Sequence, residues 1–181
     1  MAKIYIVLTQ TGTILSKAVK YCSKKDYNHA SIALDQNLDE LYSFGRINPY
    51  NPIAGGFVHE GITFGTFKRF KDTKAKIYEL DVTDEQYAKI AANIDYIKKN
   101  KGRYKFNKKG LVLASLNKIK TYDNHFYCSE FVKYVLKESG IDVSALPDIT
   151  HPLDFEKLEG LKLIYKDLLR DYESPSVKNK K

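Results

Sequence analysis

Residues 28–35 alternate between two kinds of side chain, and this alternation restricts the fold of the chain more than any other segment. One side of the segment is apolar and carries Ala30, Ile32 and Leu34. The other side carries His29, Ser31 and Ala33. A period of two predicts an extended strand with one face in a core. The pair Gln36-Asn37 then favours a turn, and residues 40–44 read as a second strand, so the two form an antiparallel hairpin.

The other segments divide into strands and helices without internal repeats. Further strands are predicted at residues 4–8, 56–60, 74–82 and 161–165, and helices at residues 14–23, 83–101, 110–118 and 128–139, with a short helix after Pro152. The long helix carries a capping-box pattern, with Thr83 followed three residues later by Gln86. Mixed strands and helices in this order predict an α+β fold, in which an antiparallel sheet packs against helices.

The length of 181 residues suits a single domain, predicted over residues 1–172, and residues 173–181 read as a polar, disordered tail. The opening apolar run is too short for a signal peptide, and no stretch is long and apolar enough to span a bilayer. We therefore expect a cytoplasmic protein whose two cysteines, Cys22 and Cys128, are reduced.

The net charge is +8, from 30 Lys and Arg against 22 Asp and Glu. This charge permits weak binding to an anionic surface. No nucleic-acid-binding motif accompanies the lysines, so we expect no nucleic-acid partner. We also expect no cofactor. His125 and Cys128 form one loose pair, whereas zinc sites show two close pairs, and Gly55-Gly56 lacks the lysine of a phosphate-binding loop.

Cys128 and His29 are the residues best placed for chemistry. Cys128 falls in the first turn of a predicted apolar helix, where unpaired backbone N–H groups and the helix dipole favour a thiolate and can bind an oxyanion. His29 lies on a predicted strand, which holds its backbone rigidly, so its imidazole can serve as the base. Each residue taken alone also fits an ordinary core position.

The two segments around these residues resemble the circularly permuted NlpC-type papain-like hydrolases, and the YiiX/YebB-like group in particular. The matching motifs are Asn28-His29-Ala30-Ser31-Ile32-Ala33-Leu34, Tyr42-Ser43-Phe44-Gly45-Arg46, Gly55-Gly56-Phe57-Val58, Tyr127-Cys128-Ser129-Glu130-Phe131-Val132 and the proline after Thr150-His151. The histidine strand precedes the cysteine helix, as in the permuted enzymes. The resemblance implies a permuted papain-like fold from about Tyr5 to Tyr172.

The resemblance also implies a third polar residue that orients the histidine. Hairpin geometry matches this position to Ser43, an uncharged departure from the family, and Glu60 on the next strand is an equal alternative. Tyr127, next to the cysteine, is a candidate substrate contact or a core residue. Tyr5, Thr9 and Thr11 are further candidates, because the first strand borders the cleft in the resembled fold.

Together these features predict a cysteine-dependent hydrolase of the amidase or peptidase kind that works through an acyl-enzyme. Its substrate would be a small peptide, another amide or an acyl lipid. The alternatives are a lipid-directed thiol acyltransferase or thioesterase, and an inactive binding module, which the uncharged Ser43 would favour. The loop from Gly45 to Gly56 is a candidate lid.

Overall fold

The computed structural model describes residues 1–11, 26–51, 54–116, 118 and 122–174. The predicted helix at residues 14–23, and Cys22 within it, lie outside the described residues. The strands are β1 Ala2–Gln10, β2 His29–Ala33, β3 Leu41–Arg46, β4 Gly55–Glu60, β5 Lys74–Val82, β6 Lys105–Phe106, β7 His125–Phe126 and β8 Lys162–Leu168. The α-helices are α1 Gly65–Arg69, α2 Asp84–Lys99, α3 Lys108–Ser115 and α4 Cys128–Glu138. Two short 3-10 helices span Pro152–Lys157 and Leu169–Asp171.

Six strands form one antiparallel sheet in the order β4-β3-β2-β1-β5-β8. Strand β1 is central because its apolar residues leave no polar face: all residues from Ile4 to Thr9 are buried. It pairs with β5 along its whole length, from Ala2 opposite Val82 to Gln10 opposite Lys74. The prediction of an α+β fold with an antiparallel sheet is confirmed.

Helices α2 and α4 cover one face of the sheet. The apolar stripe of α4 buries Phe131, Val132, Val135 and Leu136 against the side chains of Ala30 and Ile32. Burial of each such large side chain stabilises the fold by about 2 kcal/mol. The opposite face holds a second cluster around Tyr5, Val7 and Leu41, covered by Phe67 of α1 and Leu169. The alternation predicted for β2 is therefore confirmed, because its two sets of residues face different clusters.

The capping residues in the sequence predicted the capped ends of the helices to within about two residues. The predicted capping box of α2 is present, with Thr83 Oγ1 accepting from the Gln86 backbone N–H and Gln86 Oε1 accepting from the Thr83 backbone N–H. Helix α4 ends before Gly140, which adopts a φ of +80° that other residues rarely tolerate. Helix α3 begins two residues earlier than predicted, because Asn107 Oδ1 caps it by accepting from Gly110 N–H at 2.8 Å.

The two-residue strands β6 and β7 and the single-turn helix α1 have no counterpart in the predictions. Each is too short to establish a periodicity. At the other end of the chain, Ser174 is buried and its hydroxyl donates to Asn37 Oδ1. Residues 175–181 lie outside the described part, so the disordered tail and the single domain over 1–172 stay predictions.

Strands β2 and β3 pair over only part of their length. Their ladder consists of Ile32 opposite Tyr42 and Ala33 opposite Leu41, and it does not continue to His29–Ser31. The open end is tightly packed at Gly45, where a Cβ would lie 3.2 Å from His29 Cε1 and 3.2 Å from Ser43 Oγ, so a side chain there would require these neighbours to shift. This open end of the hairpin holds the candidate site.

Candidate active site

Cys128 is the first residue of α4 and is only 5% exposed. The start of the helix is held by Glu130, whose Oε2 accepts from the Tyr127 backbone N–H at 3.0 Å and from Asn107 Nδ2. The first N–H groups of a helix have no intrahelical partner, so the sulfur stands at the positive end of the α4 dipole. Ser129 Oγ lies 4.0 Å from Cys128 Sγ.

His29 reaches this cysteine from the open end of β2. Its side chain is 16% exposed, and its Nε2 lies 3.0 Å from Glu60 Oε1. The imidazole also interacts with the Cys128 thiol. Because Nε2 is engaged by Glu60, Nδ1 is the nitrogen left for the thiol. The structure therefore brings together three of the predicted residues: Cys128, His29 and Glu60.

Glu60 ends β4 and is 7% exposed. Its two carboxylate oxygens have different partners: Oε1 contacts His29, and Oε2 accepts from Ser31 Oγ at 2.5 Å. Ser31 is fully buried and was not among the candidates. The alternation of the strand could have identified Ser31 as a site residue, because it places Ser31 on the same side of β2 as His29. Hydrogen bonds on both oxygens fix the carboxylate and, through it, the imidazole.

The charges of these groups support one another. Burial disfavours an imidazolium, but the Glu60 carboxylate and the Cys128 thiol outweigh burial and raise the pKa of His29 from 6.5 to about 10. Burial likewise opposes ionisation of Glu60, yet the charge of His29 and the bonds from His29 and Ser31 hold the pKa of this carboxyl below its usual range. The pair is a buried imidazolium and carboxylate.

The same surroundings also favour the charged form of the Cys128 thiol. Burial raises its pKa, but the hydrogen bond from His29, the charge of His29 and the Ala30 backbone N–H together hold the pKa below its ordinary value. The contact with Ala30 belongs to the stretch of β2 outside the β2–β3 ladder. A depressed pKa means that more of the sulfur is thiolate at neutral pH, and the thiolate is the nucleophile.

Of the two orienting candidates, Glu60 is the one that contacts the imidazole. Ser43 lies on β3 opposite Val58 and is fully buried. Its hydroxyl makes no hydrogen bond of normal geometry with the residues described, although it is near enough to the Glu60 carboxylate to help lower the pKa of that group. The hairpin matching that favoured Ser43 assumed a continuous β2–β3 ladder. Because the ladder stops at Ile32 and Tyr42, the carboxylate on β4 fills that space instead.

The substrate-contact candidates lie in different places. Tyr5 is not at the site: it is buried in the cluster on the far face and aligned with Ala33 instead of His29. Thr9 is aligned with His29, and its buried hydroxyl has no partner in the described part of the chain. Thr11 follows the end of β1 and is partly exposed. Tyr127 is 5% exposed and packs with Cys128 and Ala114, and burial raises the pKa of its phenol.

A search of solved structures finds chains that are similar in fold, and one of them is informative here. It is the crystal structure of YiiX from Escherichia coli O157:H7, described there as a metalloprotein of DUF1105. The match has a TM-score of 0.54 and covers 92% of this chain and 98% of that chain, at 14% sequence identity. The chain is similar to YiiX in fold. No family model and no curated protein matches the sequence.

The description of YiiX as a metalloprotein prompts a test of the residues here. The described residues contain no group of three or more His, Cys, Asp or Glu side chains arranged to hold a metal ion. His59 Nε2 bonds the Asp39 carbonyl and His125 Nδ1 bonds the Asp123 carbonyl, both away from Cys128. The described residues therefore do not fit a metal site. Every helix in the described ranges is too short or too polar to cross a membrane.

Proposed function

We propose that this protein is a cysteine-dependent hydrolase of the circularly permuted papain-like type. The observation that carries the proposal is the buried chain of contacts from Cys128 through His29 to Glu60, with 3.0 Å between His29 Nε2 and Glu60 Oε1. The fold similarity to YiiX and the order of the histidine strand before the cysteine helix both support it. The substrate class is an amide or ester of a carboxylic acid.

In the proposed reaction the Cys128 thiolate attacks the substrate carbonyl carbon and forms a C–S bond, and the carbonyl π electrons move to oxygen. N–H groups at the start of α4 stabilise the oxyanion. The His29 imidazolium donates its proton to the leaving amine or alcohol as the C–N or C–O bond breaks, which leaves a thioester. Water, deprotonated by His29, then attacks the thioester and releases the acid and Cys128.

Glu60 has a positioning role in this scheme. Its carboxylate holds Nε2 of His29, so that Nδ1 faces the sulfur, and its charge stabilises the imidazolium that pairs with the thiolate. The inactive binding module was favoured by an uncharged orienting residue. The carboxylate of Glu60 in that position removes the main argument for an inactive module. A lipid-directed acyltransferase would use the same acyl-enzyme, with an alcohol or amine in place of water as the acceptor.

The test is the rate of Cys128 alkylation by iodoacetamide as a function of pH, in wild type and in His29→Ala, with Cys22→Ser in both proteins. We expect wild-type Cys128 to titrate well below the free-cysteine value of about 8.5, and His29→Ala to lose that advantage. A thiol that titrates near the free value in both proteins would overturn the proposal. For any substrate that wild type cleaves, turnover by Cys128→Ala would also overturn it.

A further inference from the structure

A groove of about 800 Å³ lies between the β3–β4 hairpin and the segment that contains β6 and the start of α3. Four exposed lysines line it: Lys101, Lys105, Lys108 and Lys109. No acidic residue lines it in the described part of the chain, and the ammonium groups of the four lysines make no ion pair with a described residue. The groove therefore carries uncompensated positive charge.

The charge of the whole protein is concentrated in this region. Residues 101–125 contain seven Lys and Arg but a single acidic residue, Asp123, so this stretch carries most of the net charge of +8. Lys108 and Lys109 also occupy the first turn of α3, which has no acidic residue. Positive charges at the positive end of a helix repel the dipole, and a bound anion would relieve that repulsion.

Exposed apolar side chains lie among these lysines. Ile47 and Tyr122 line the groove and are 60% and 38% exposed. Val112 and Leu116 are 61% and 58% exposed and follow Lys108 at intervals of four residues, so the three share one stripe of α3. Ala114, on another side of α3, packs with Cys128 and Tyr127. The lysine stripe thus faces away from the core.

We propose that this surface, called here the α3 face and made of the four lysines with Ile47, Val112, Leu116 and Tyr122, docks on an anionic lipid bilayer. Aliphatic side chains between lysines suit a partner with an anionic surface above an apolar interior. Lysine is a point charge suited to diffuse anionic headgroups, whereas arginine, which grips single phosphates in nucleic acids, is absent from the described groove lining.

The α3 face adjoins the candidate active site. Phe106 lines the groove and also packs against the cluster of Cys128 and Tyr127. Gly56 lines the groove and pairs with Gly45, next to His29. Docking would bring the bilayer surface next to the segments that pack against Cys128, so that a substrate held in or on the bilayer would lie near the candidate site. This last consequence, unlike the docking itself, rests on the proposed hydrolase function.

The test is co-sedimentation of the full chain with vesicles of phosphatidylcholine, with and without phosphatidylglycerol. We expect binding only to the anionic vesicles, weakening as salt increases. The triple variant Lys105→Glu, Lys108→Glu, Lys109→Glu should lose at least about tenfold in affinity. A control with the same change in net charge is Lys71→Glu, Lys74→Glu, Lys162→Glu, at exposed lysines on the β5–β8 side of the sheet, and it should stay within about threefold of wild type.

A second pair of variants tests the apolar part. Val112→Ser with Leu116→Ser should weaken binding, whereas Tyr96→Ser with Leu163→Ser, also at exposed positions, should not. The proposal is overturned if wild type ignores anionic vesicles, or if the α3-face variants and their controls lose equally. It is also overturned if the protein binds soluble polyglutamate and not vesicles, which would indicate an acidic protein partner.

The docking and the chemistry fail separately in this design. Cys128→Ala should sediment with anionic vesicles as wild type does, because Cys128 is not part of the α3 face. The α3-face variants should keep the wild-type rate of Cys128 alkylation in the absence of vesicles. Loss of alkylation in these variants would show that the substitutions disturb the site, and the sedimentation result would then count against the proposed face.

Discussion

Strand β2 has two halves with opposite surroundings. At Ile32 and Ala33 it pairs with β3 and carries apolar side chains into the clusters on both faces of the sheet. At His29–Ser31 it has no ladder pair with β3, and the surrounding side chains include a buried ion pair and the buried hydroxyls of Thr9 and Ser43. The half that pairs with β3, called here the closed half, stabilises the fold. In the open half, His29–Ser31, the His29 side chain and the Ala30 backbone N–H contact the Cys128 thiol.

The comparison has a physical basis. A buried carboxylate, imidazole and thiol are each costly to remove from water, and they are retained only when hydrogen bonds and opposite charges offset that cost. The apolar packing of α4 against Ala30 and Ile32 supplies stability that offsets this cost. Substitutions in the apolar cluster should therefore change stability, whereas substitutions among the buried polar groups should also change the reactivity of Cys128.

Phe131→Ala, in the main apolar cluster against Phe44 and Phe57, should cost about 3–5 kcal/mol in the free energy of unfolding, because it leaves a cavity there. Urea denaturation measures the loss. The folded fraction should keep the pH dependence of Cys128 alkylation. Leu163→Ala, at an exposed site on β8, is the control and should change stability by less than about 0.5 kcal/mol. Equal losses in the two variants would contradict the assignment of the core.

Glu60→Gln should cost about 2 kcal/mol in stability, because it leaves the buried imidazolium without its counter-charge. It should also lower the rate of Cys128 alkylation at neutral pH by about tenfold or more, since the thiolate loses its charged partner. Both are measured on one preparation, by denaturation and by mass spectrometry of the alkylated thiol. If Ser43→Ala gave the larger loss of alkylation, Ser43 would be the orienting residue after all.

The difference in stability between wild type and Glu60→Gln should depend on pH. Glu60 has a lowered pKa, so its contribution is present above about 4.5 and disappears as pH falls through the folded value. The raised pKa of His29 contributes fully below 6.5, and this part is lost as pH rises toward 10. The difference should therefore be largest between pH 4.5 and 6.5. A difference that does not decrease below pH 4.5 or above pH 6.5 in urea titrations would exclude the ion pair.

Ser31→Ala should cost about 1 kcal/mol in stability, the usual value for one buried hydrogen bond. Its informative effect is on titration: the pKa of the Cys128 thiol should move toward its free value, because the carboxylate that holds His29 is less constrained. Ser31→Thr keeps the hydroxyl and should restore most of the shift. A loss of stability with an unchanged thiol pKa in both variants would mean that Ser31 is only a packing residue.

Ser43→Ala should have the smallest effect, less than about 0.5 kcal/mol in either direction, because the hydroxyl that it removes makes no hydrogen bond of normal geometry with the described residues and is only one of several groups that lower the pKa of Glu60. The pH dependence of alkylation should match wild type. Ser43→Val, which adds volume beside Gly45, serves as the contrast and should destabilise the protein, since the space at that point is already tight. Wild-type stability in Ser43→Val would show that the open end is looser than described.

The features of this protein that depend on neighbours in the chain could be predicted from its sequence. The alternation from His29 to Ala33, the capping box of Thr83 and Gln86 and the apolar stripe of α4 are local patterns, and each appears in the structure where it was predicted. Such patterns arise from backbone geometry and from burial of one face, so they can be read without knowing the fold.

Only the tertiary structure decided which distant groups meet. Glu60 instead of Ser43 contacts His29 because the β2–β3 ladder ends early. Ser31 also contacts Glu60, because the last residue of β4 lies beside the unpaired half of β2. Likewise, the lysines of residues 101–109 become one surface only when β6 and α3 pack beside β4. Register, ladder length and packing depend on contacts between residues far apart in the chain, and local periodicity carries no information about them.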